Sequence, residues 1–131
     1  MSTQRVDSPL GIKNGNIVQI VGWDDDCDDE LYDAVVSAAG AEPVEDDYGD
    51  VVDVVILWWR DEDGDVIDGL LDSITMLADG GSVWLLTPKP GRVGHVDAED
   101  IAEAAPTAGL KLTANIDAAP DWQGAKFLPR N

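Results

Sequence analysis

The most hydrophobic stretch of the chain, VVDVVILWWR at residues 51–60, is apolar on both faces when it is read with a period of two. Asp53 is the only polar residue in it before Arg60. A strand with two apolar faces is typical of the centre of a parallel sheet that is covered on both sides. A buried helix would also be apolar all round, but the β-branched residues and the flanking Gly49 and acidic turn favour a strand. We therefore predict a central strand that ends at Trp58-Trp59-Arg60.

Apolar segments of strand length alternate with amphipathic segments of helix length along the rest of the chain. The predicted strands cover 16–21, 82–86, 110–116 and 122–128, with a brief edge strand over 41–44. The predicted helices cover 31–39, 66–78 and 97 to about 105, and Gly80-Gly81 is expected to end the second of them. This order predicts a single three-layer α/β domain over 10–131 after a flexible tail over 1–9. Because no helix separates the last two strands, we expect a mostly parallel sheet with an antiparallel C-terminal edge.

The charge of the chain narrows the classes of partner. Its 27 acidic and 8 basic residues give a formal net charge of −19, which disfavours nucleic acid and anionic membrane surfaces. A solvated acidic surface, which high-salt adaptation would also produce, is the simpler explanation, and a surface that docks on a basic protein is the alternative. The single cysteine excludes an intrachain disulfide, and no apolar run has membrane length, so we expect a cytoplasmic protein.

Two resemblances follow from particular phrases of the sequence. The phrases VGWDDDCDDEL, ILWWRDEDGD, LADGGSVWLLTPKPGRVGHV, DIAEAAPTAGL and DWQGAKFL resemble a small acidic actinobacterial family of unknown function over nearly the whole chain. That resemblance implies no activity, cofactor or catalytic residue. From Asp53 onward, the order of strands and helices also resembles the C-terminal half of the Rossmann-like methyltransferase fold, which implies a methyltransferase-like topology.

The cofactor turn of such folds is missing from the sequence. Dinucleotide and methyltransferase domains carry a Gly-rich turn after their first strand, where the backbone approaches the cofactor. Here Gly22-Trp23 is followed by six carboxylates in the seven residues 24–30. They would repel a phosphate or an amino-acid carboxylate, so we predict no S-adenosylmethionine, NAD or ATP site of the usual kind and no cofactor.

Three segments are expected to meet at the carboxyl ends of the strands, where parallel sheets bind ligands. Two interpretations of this rim stay open. In the first, the rim has a function, either as a surface for a protein partner or as a pocket for a small anion. In the second, the basic residues of the rim only neutralise the acidic run over 24–30. The candidate residues are Trp23, Asp24, Asp25, Asp26, Trp58, Trp59, Arg60, Thr87, Lys89, Arg92 and His95.

Two further patterns, a run of spaced aspartates and a lone cysteine, have simpler structural explanations. Asp61, Asp63, Asp65 and Asp72 have the spacing of a calcium loop, but Val66 stands where that loop needs glycine, so a capped strand-to-helix turn is favoured. Cys27 lies among carboxylates, which favours an unreactive thiol. Because His95 has no identifiable Ser or Cys partner in the sequence, we predict neither a catalytic residue nor a metal site, and we expect Trp84 and Trp122 in the core.

These observations predict a non-enzymatic regulatory or protein-interaction protein that uses the acidic, Trp-rich rim to engage a protein partner. The alternative is a small-molecule (anion) binder or divergent enzyme at the strand ends. Its crevice would be formed by Trp23, Trp58, Lys89, Arg92 and His95.

Overall fold

The computed structural model describes residues 12, 14–25, 27–44, 49–75 and 77–129. The tail predicted over 1–9 and the rim residue Asp26 lie outside these ranges. The strands are β1 Val18–Val21, β2 Val52–Trp58, β3 Leu77–Pro88, β4 Leu110–Asp117 and β5 Trp122–Pro129. The helices are α1 Asp29–Ala39, α2 Val66–Ile74 and α3 Ala98–Thr107, and Asp61–Asp63 forms one turn of 3-10 helix. None of these helices is long and apolar enough to cross a membrane.

The five strands form one sheet in the order β1-β2-β3-β5-β4. β1 and β2 are parallel, as are β2 and β3, whereas β5 runs antiparallel to both β3 and β4. The predicted antiparallel edge is confirmed, but the sheet is mixed rather than mostly parallel. The reason is that β5 inserts between β3 and β4, which gives two antiparallel ladders instead of one. The edge strand predicted over 41–44 is reduced to one parallel bridge, between Val44 and Gln19, among the described residues.

The predicted double covering of the central strand β2 is confirmed. Val54, Ile56 and Trp58 pack in the core on the α1 side, and Val55 and Leu57 pack in the core on the side of α2 and α3. This alternation matches the period of two in the sequence, because successive side chains of a strand point to opposite faces. The carboxyl end of β2 therefore lies between two helical layers.

Two of the acidic residues are explained by helix capping. The Asp28 side chain accepts a hydrogen bond of 2.8 Å from the backbone N–H of Leu31 at the start of α1. Asp65 accepts one of 3.0 Å from the N–H of Ile67 at the start of α2, which confirms the predicted capped turn. The third predicted helix is present: Asp97 is its N-cap residue, although the Asp97 side chain makes no capping hydrogen bond, and α3 runs on to Thr107, past the expected end near 105.

The boundary between α2 and β3 differs from the prediction. The helix was expected to reach 78, but it ends at Ile74, and Leu77 already pairs with Val52 of β2. The next pair in this ladder is Val54 with Ser82, so residues 78–81 form an irregularity inside the strand. Gly80-Gly81 therefore do not end a helix. Gly80 adopts a φ of 80°, and Gly81 lets the β3 backbone pass close to the carbonyl of Asp53.

A bulge interrupts the edge strand β4. Leu112 pairs with Phe127 and Ala114 pairs with Lys126, which leaves Thr113 as an extra residue in β4. As a result Leu112 packs on the α2 and α3 side of the sheet, whereas Ile116 packs on the α1 side.

Candidate functional site

The segment after β1 is a compact turn, which we call the rim turn (Gly22 to Asp25, and Cys27). Gly22 has a φ of 82°, and a Cβ there would overlap the carbonyl oxygen of Trp58, so only glycine lets the turn cross the end of β2. The N–H of Cys27 donates to the carbonyl of Asp24 over 3.0 Å, and the N–H of Asp24 donates to the Sγ of Cys27 over 3.3 Å. The N–H of Asp25 donates to the Asp24 carboxylate. Local hydrogen bonds thus fix the shape of the turn.

Trp23 is the outermost member of a group of aromatic rings. It remains 42% exposed, with its ring centroid 5.5 Å from that of Trp58 and 5.2 Å from that of Tyr32. Trp58 in turn meets Trp122 edge-on at 4.8 Å. Edge-to-face contacts of this kind orient aromatic rings. The exposed indole of Trp23 is therefore supported from beneath.

Trp58 itself does not leave the core, although the sequence placed it on the rim. It is 1% exposed, and its Nε1 is the one buried side-chain polar atom without a hydrogen-bond partner among the described residues. An unsatisfied buried donor costs about 1–3 kcal/mol. The prediction that Trp84 and Trp122 lie in the core is confirmed.

Arg60 holds the rim turn from below. Its Nη1 donates to the carbonyl oxygens of Gly22 at 2.8 Å and Trp58 at 3.3 Å, and its Nη2 donates to the Sγ of Cys27 at 3.2 Å. The guanidinium also lies 5.1 Å from the ring centroid of Trp122. The Arg60 backbone N–H donates to Asp63. Arg60 is thus a buried clamp that joins both ends of the rim turn to the end of β2.

Trp59 lies on the other side of the sheet from the rim aromatics. Its ring packs against Gly69 of α2, and its backbone N–H donates to the carbonyl of Leu86 over 2.8 Å. The two adjacent tryptophans therefore serve different layers, and Trp59 is separated from Trp23.

The remaining basic residues of the predicted rim are engaged elsewhere. Lys89 forms an ion pair with Asp117, and Arg92 forms one with Asp121, both at the connection between β4 and β5. These two residues therefore do not neutralise the acidic run over 24–30, as one interpretation expected. Thr87 is buried and accepts a hydrogen bond from the Gln123 side chain.

His95 is tied to its own loop. Its Nδ1 lies 2.8 Å from the carbonyl oxygen of Pro88, and its Nε2 lies 3.8 Å from the Asp97 carboxylate. The imidazole thus orders the loop after β3.

Two open grooves flank the rim turn. The first, of about 750 Å³, lies between α1 and the Val44 segment, and Trp23 forms part of its wall. The second, of about 490 Å³, lies beside the loop after β3 and is bordered by Asp24, Arg92 and Asp121. Trp23 and Asp24 therefore form a ridge between the grooves. The crevice predicted from Trp23, Trp58, Lys89, Arg92 and His95 is divided: the first groove takes Trp23 and the second takes Arg92.

Two of the four residues with calcium-loop spacing, Asp63 and Asp65, have structural roles. Asp63 accepts the Arg60 backbone N–H at 2.9 Å, and Asp65 caps α2. Across the described ranges, no group of three or more His, Cys, Asp or Glu side chains is placed to hold a metal ion.

The sequence reasoning missed Tyr32, Glu42 and the partners Asp117 and Asp121. The position of Tyr32 could have been inferred in part, because Tyr32 follows Leu31 in the first turn of the predicted helix, next to the acidic run. No sequence pattern indicated Asp117 and Asp121, because they are about 25–30 residues distant along the chain from the basic residues with which they pair.

Comparison with known proteins identifies similar chains and a similar fold. Uncharacterized proteins of Mycobacterium tuberculosis and Mycobacterium bovis are each 45% identical to this chain over 119 residues, which is 91% of this chain and 75% of theirs. A family model described as "Protein of unknown function (DUF3052)" matches residues 7–131. The predicted resemblance to an actinobacterial family of unknown function is confirmed.

Solved structures with a similar fold include several methyltransferases. The CcbJ methyltransferase from Streptomyces caelestis has a TM-score of 0.61 at 10% identity, covering 92% of this chain and 86% of its own. Magnesium protoporphyrin IX methyltransferase from Synechocystis, solved with bound SAM, has a TM-score of 0.58 at 12% identity over 88% of this chain and 71% of its own. A methyltransferase from Pyrococcus furiosus has a TM-score of 0.55 at 12% identity over 92% and 78%. The fold is thus Rossmann-like and methyltransferase-like.

Proposed function

We propose that this chain, which belongs to the DUF3052 family, is a non-enzymatic regulatory or protein-interaction protein that docks on a basic surface of a partner protein. The contact surface is the docking rim, which comprises Trp23, Asp24, Asp25, Asp29 and Glu30. The observation that carries the proposal is Trp23, a large indole that is 42% exposed among exposed carboxylates.

The chemistry of the docking rim fits a protein partner. Tryptophan is enriched among the residues that dominate interface energies, because it buries a large area at low entropic cost. The carboxylates beside it would speed encounter with a basic partner and select against acidic ones. With a net charge of −19, the protein as a whole attracts a basic surface over a longer distance.

The clamp at Arg60 supports the same proposal. It joins the carbonyl of Gly22 and the Sγ of Cys27, so that the rim turn keeps one shape before a partner arrives. A surface fixed in advance loses less conformational entropy on binding, which raises affinity.

Capture of partners from a native lysate tests the docking rim. We expect the Asp24→Lys/Asp25→Lys variant to lose its partner, because the reversed charges repel a basic surface. The matched control is Asp68→Lys/Asp72→Lys, which makes the same charge change on the exposed side of α2 and should keep the partner. Equal recovery of the partner by the wild type and by the rim variant would refute the proposed surface.

A second candidate function is a small-molecule binder or divergent enzyme at the strand ends. The first groove favours it, since about 750 Å³ is within the usual volume of ligand sites and the groove follows β1. The similar fold of a methyltransferase solved with bound SAM points the same way. The acidic run beside the groove opposes an anionic ligand, and Lys89 and Arg92 are already paired with carboxylates.

Thermal unfolding separates the two candidates. Stabilisation by S-adenosylmethionine, S-adenosylhomocysteine or a member of an anion panel would favour the small-molecule function. No shift across the panel, together with a partner that depends on Asp24 and Asp25, would favour docking. The proposal also includes a cytoplasmic location, which fractionation of native cells would test.

A further inference from the structure

The first groove has walls of a kind that recognises an organic cation. Its lining joins two aromatic rings, Trp23 and Tyr32, to two carboxylates, Asp29 and Glu42, and no basic residue is among its lining residues in the described ranges. A cation is attracted to the face of an aromatic ring when it lies within about 6 Å of the ring centroid. The two ring centroids are 5.2 Å apart, so both aromatic residues lie together at the groove, and a cation over the exposed face of one ring stays close to the other residue.

Both carboxylates of the groove are available to such a cation. Asp29 and Glu42 are exposed, and within the described part of the chain neither forms an ion pair or accepts a side-chain hydrogen bond. Lys89 and Arg92 pair with Asp117 and Asp121 instead. A cation entering the groove would therefore not compete with an existing ion pair.

The open shape of the groove favours a planar cation on a long stem. The two rings meet at 60°, which forms a corner and not a closed cage. A guanidinium is flat, weakly hydrated and able to stack on a ring while it forks its N–H donors to a carboxylate. The apolar lining residues Ile20, Pro43 and Val44 would contact the methylene groups of its stem.

We propose that the first groove is a socket for an arginine side chain of the basic partner. This inference rests on the proposed docking function and names the residue type that the docking rim selects. Trp23 stacks on the guanidinium, Asp29 and Glu42 accept its N–H donors, and the adjacent ridge residue Asp24 contributes charge without touching the socket.

Calorimetric titration with two blocked peptides tests the socket. One peptide alternates glycine and arginine, and the other alternates glycine and lysine at the same length and charge. We expect the arginine peptide to bind about two- to five-fold more tightly, as one cation–π contact provides. Equal affinities for the wild-type protein would overturn the proposal.

Variants locate the preference within the protein. Trp23→Leu should reduce the arginine peptide to the affinity of the lysine peptide, and circular dichroism would verify that the variant is folded. Glu42→Gln, at an exposed position, should lower the arginine preference without disturbing the core. The control Asp24→Asn should weaken both peptides equally and keep their ratio, because Asp24 borders the second groove. An unchanged ratio in Trp23→Leu and in Glu42→Gln would refute the socket.

The failure of the socket and the failure of docking give different results. If the peptides show no arginine preference while partner capture still depends on Asp24 and Asp25, the socket is wrong and docking stands. If the peptides show the preference but partner capture does not depend on these residues, the docking function is wrong.

Discussion

Replacing Arg60 by methionine should destabilise the protein and loosen the rim turn. The Arg60 side chain is 11% exposed, so the hydrogen bond of 2.8 Å from its guanidinium to the Gly22 carbonyl is largely shielded from water. A hydrogen bond from a charged donor contributes about 1.5–3 kcal/mol. The contact with the Trp122 ring adds about 0.5–1 kcal/mol, which gives an expected loss of about 2–4 kcal/mol for Arg60→Met.

The control for this change is Arg92→Met. Arg92 and its partner Asp121 are 58% and 53% exposed, and pairs of this kind contribute about 1 kcal/mol or less. Urea unfolding followed by tryptophan fluorescence measures both variants, and a loss of about 3 kcal/mol lowers the midpoint by about 1–3 M. If Arg60→Met loses no more stability than Arg92→Met, the description of Arg60 as a buried clamp is refuted.

Two further matched pairs test the end of β2. Gly91→Ala, at a φ of 87° with open space around it, should lose about 1–2 kcal/mol, whereas Gly22→Ala should lose at least about twice as much because its Cβ also meets the Trp58 carbonyl; equal shifts in Tm would contradict this. Trp58→Phe should lower the free energy of unfolding less than Trp84→Phe does, because the change at Trp58 also removes a buried N–H without a partner. Urea unfolding of both variants measures this difference, and a larger loss for Trp58→Phe would contradict it.

Much of the fold could be predicted because it depends on local periodicity. The period of two in β2 and the apolar spacing in α1 are both determined by which side chains must face the sheet or the helical layer. The α2–β3 boundary could not be predicted in this way. Leu77 continues the helical spacing of α2, and Gly80-Gly81 fits a helix end as well as an irregular strand, so only the pairing of Leu77 with Val52 decides between them.

The end of β2 was predicted in position, but the contacts of its residues were not. The sequence indicates that Trp58 and Arg60 lie at the end of β2, yet both are buried by residues distant in the chain. Trp122 covers Trp58 and lies under the Arg60 guanidinium, and it reaches that place only because β5 inserts beside β3. Contacts of this sequence separation depend on the order of the strands in the sheet, which local patterns do not determine.

The bulge at Thr113 also affects how the free edge of the sheet meets another molecule. In a regular strand, residues 111–117 of two copies could pair antiparallel about Ala114, with Lys111 of each opposite Asp117 of the other. The extra residue places Lys111 and Asp117 on opposite faces of the sheet, so this match of charges cannot form in a continuous sheet. The edge strand is therefore a poor template for its own copies, which protects a chain with an open sheet from fibrous self-assembly.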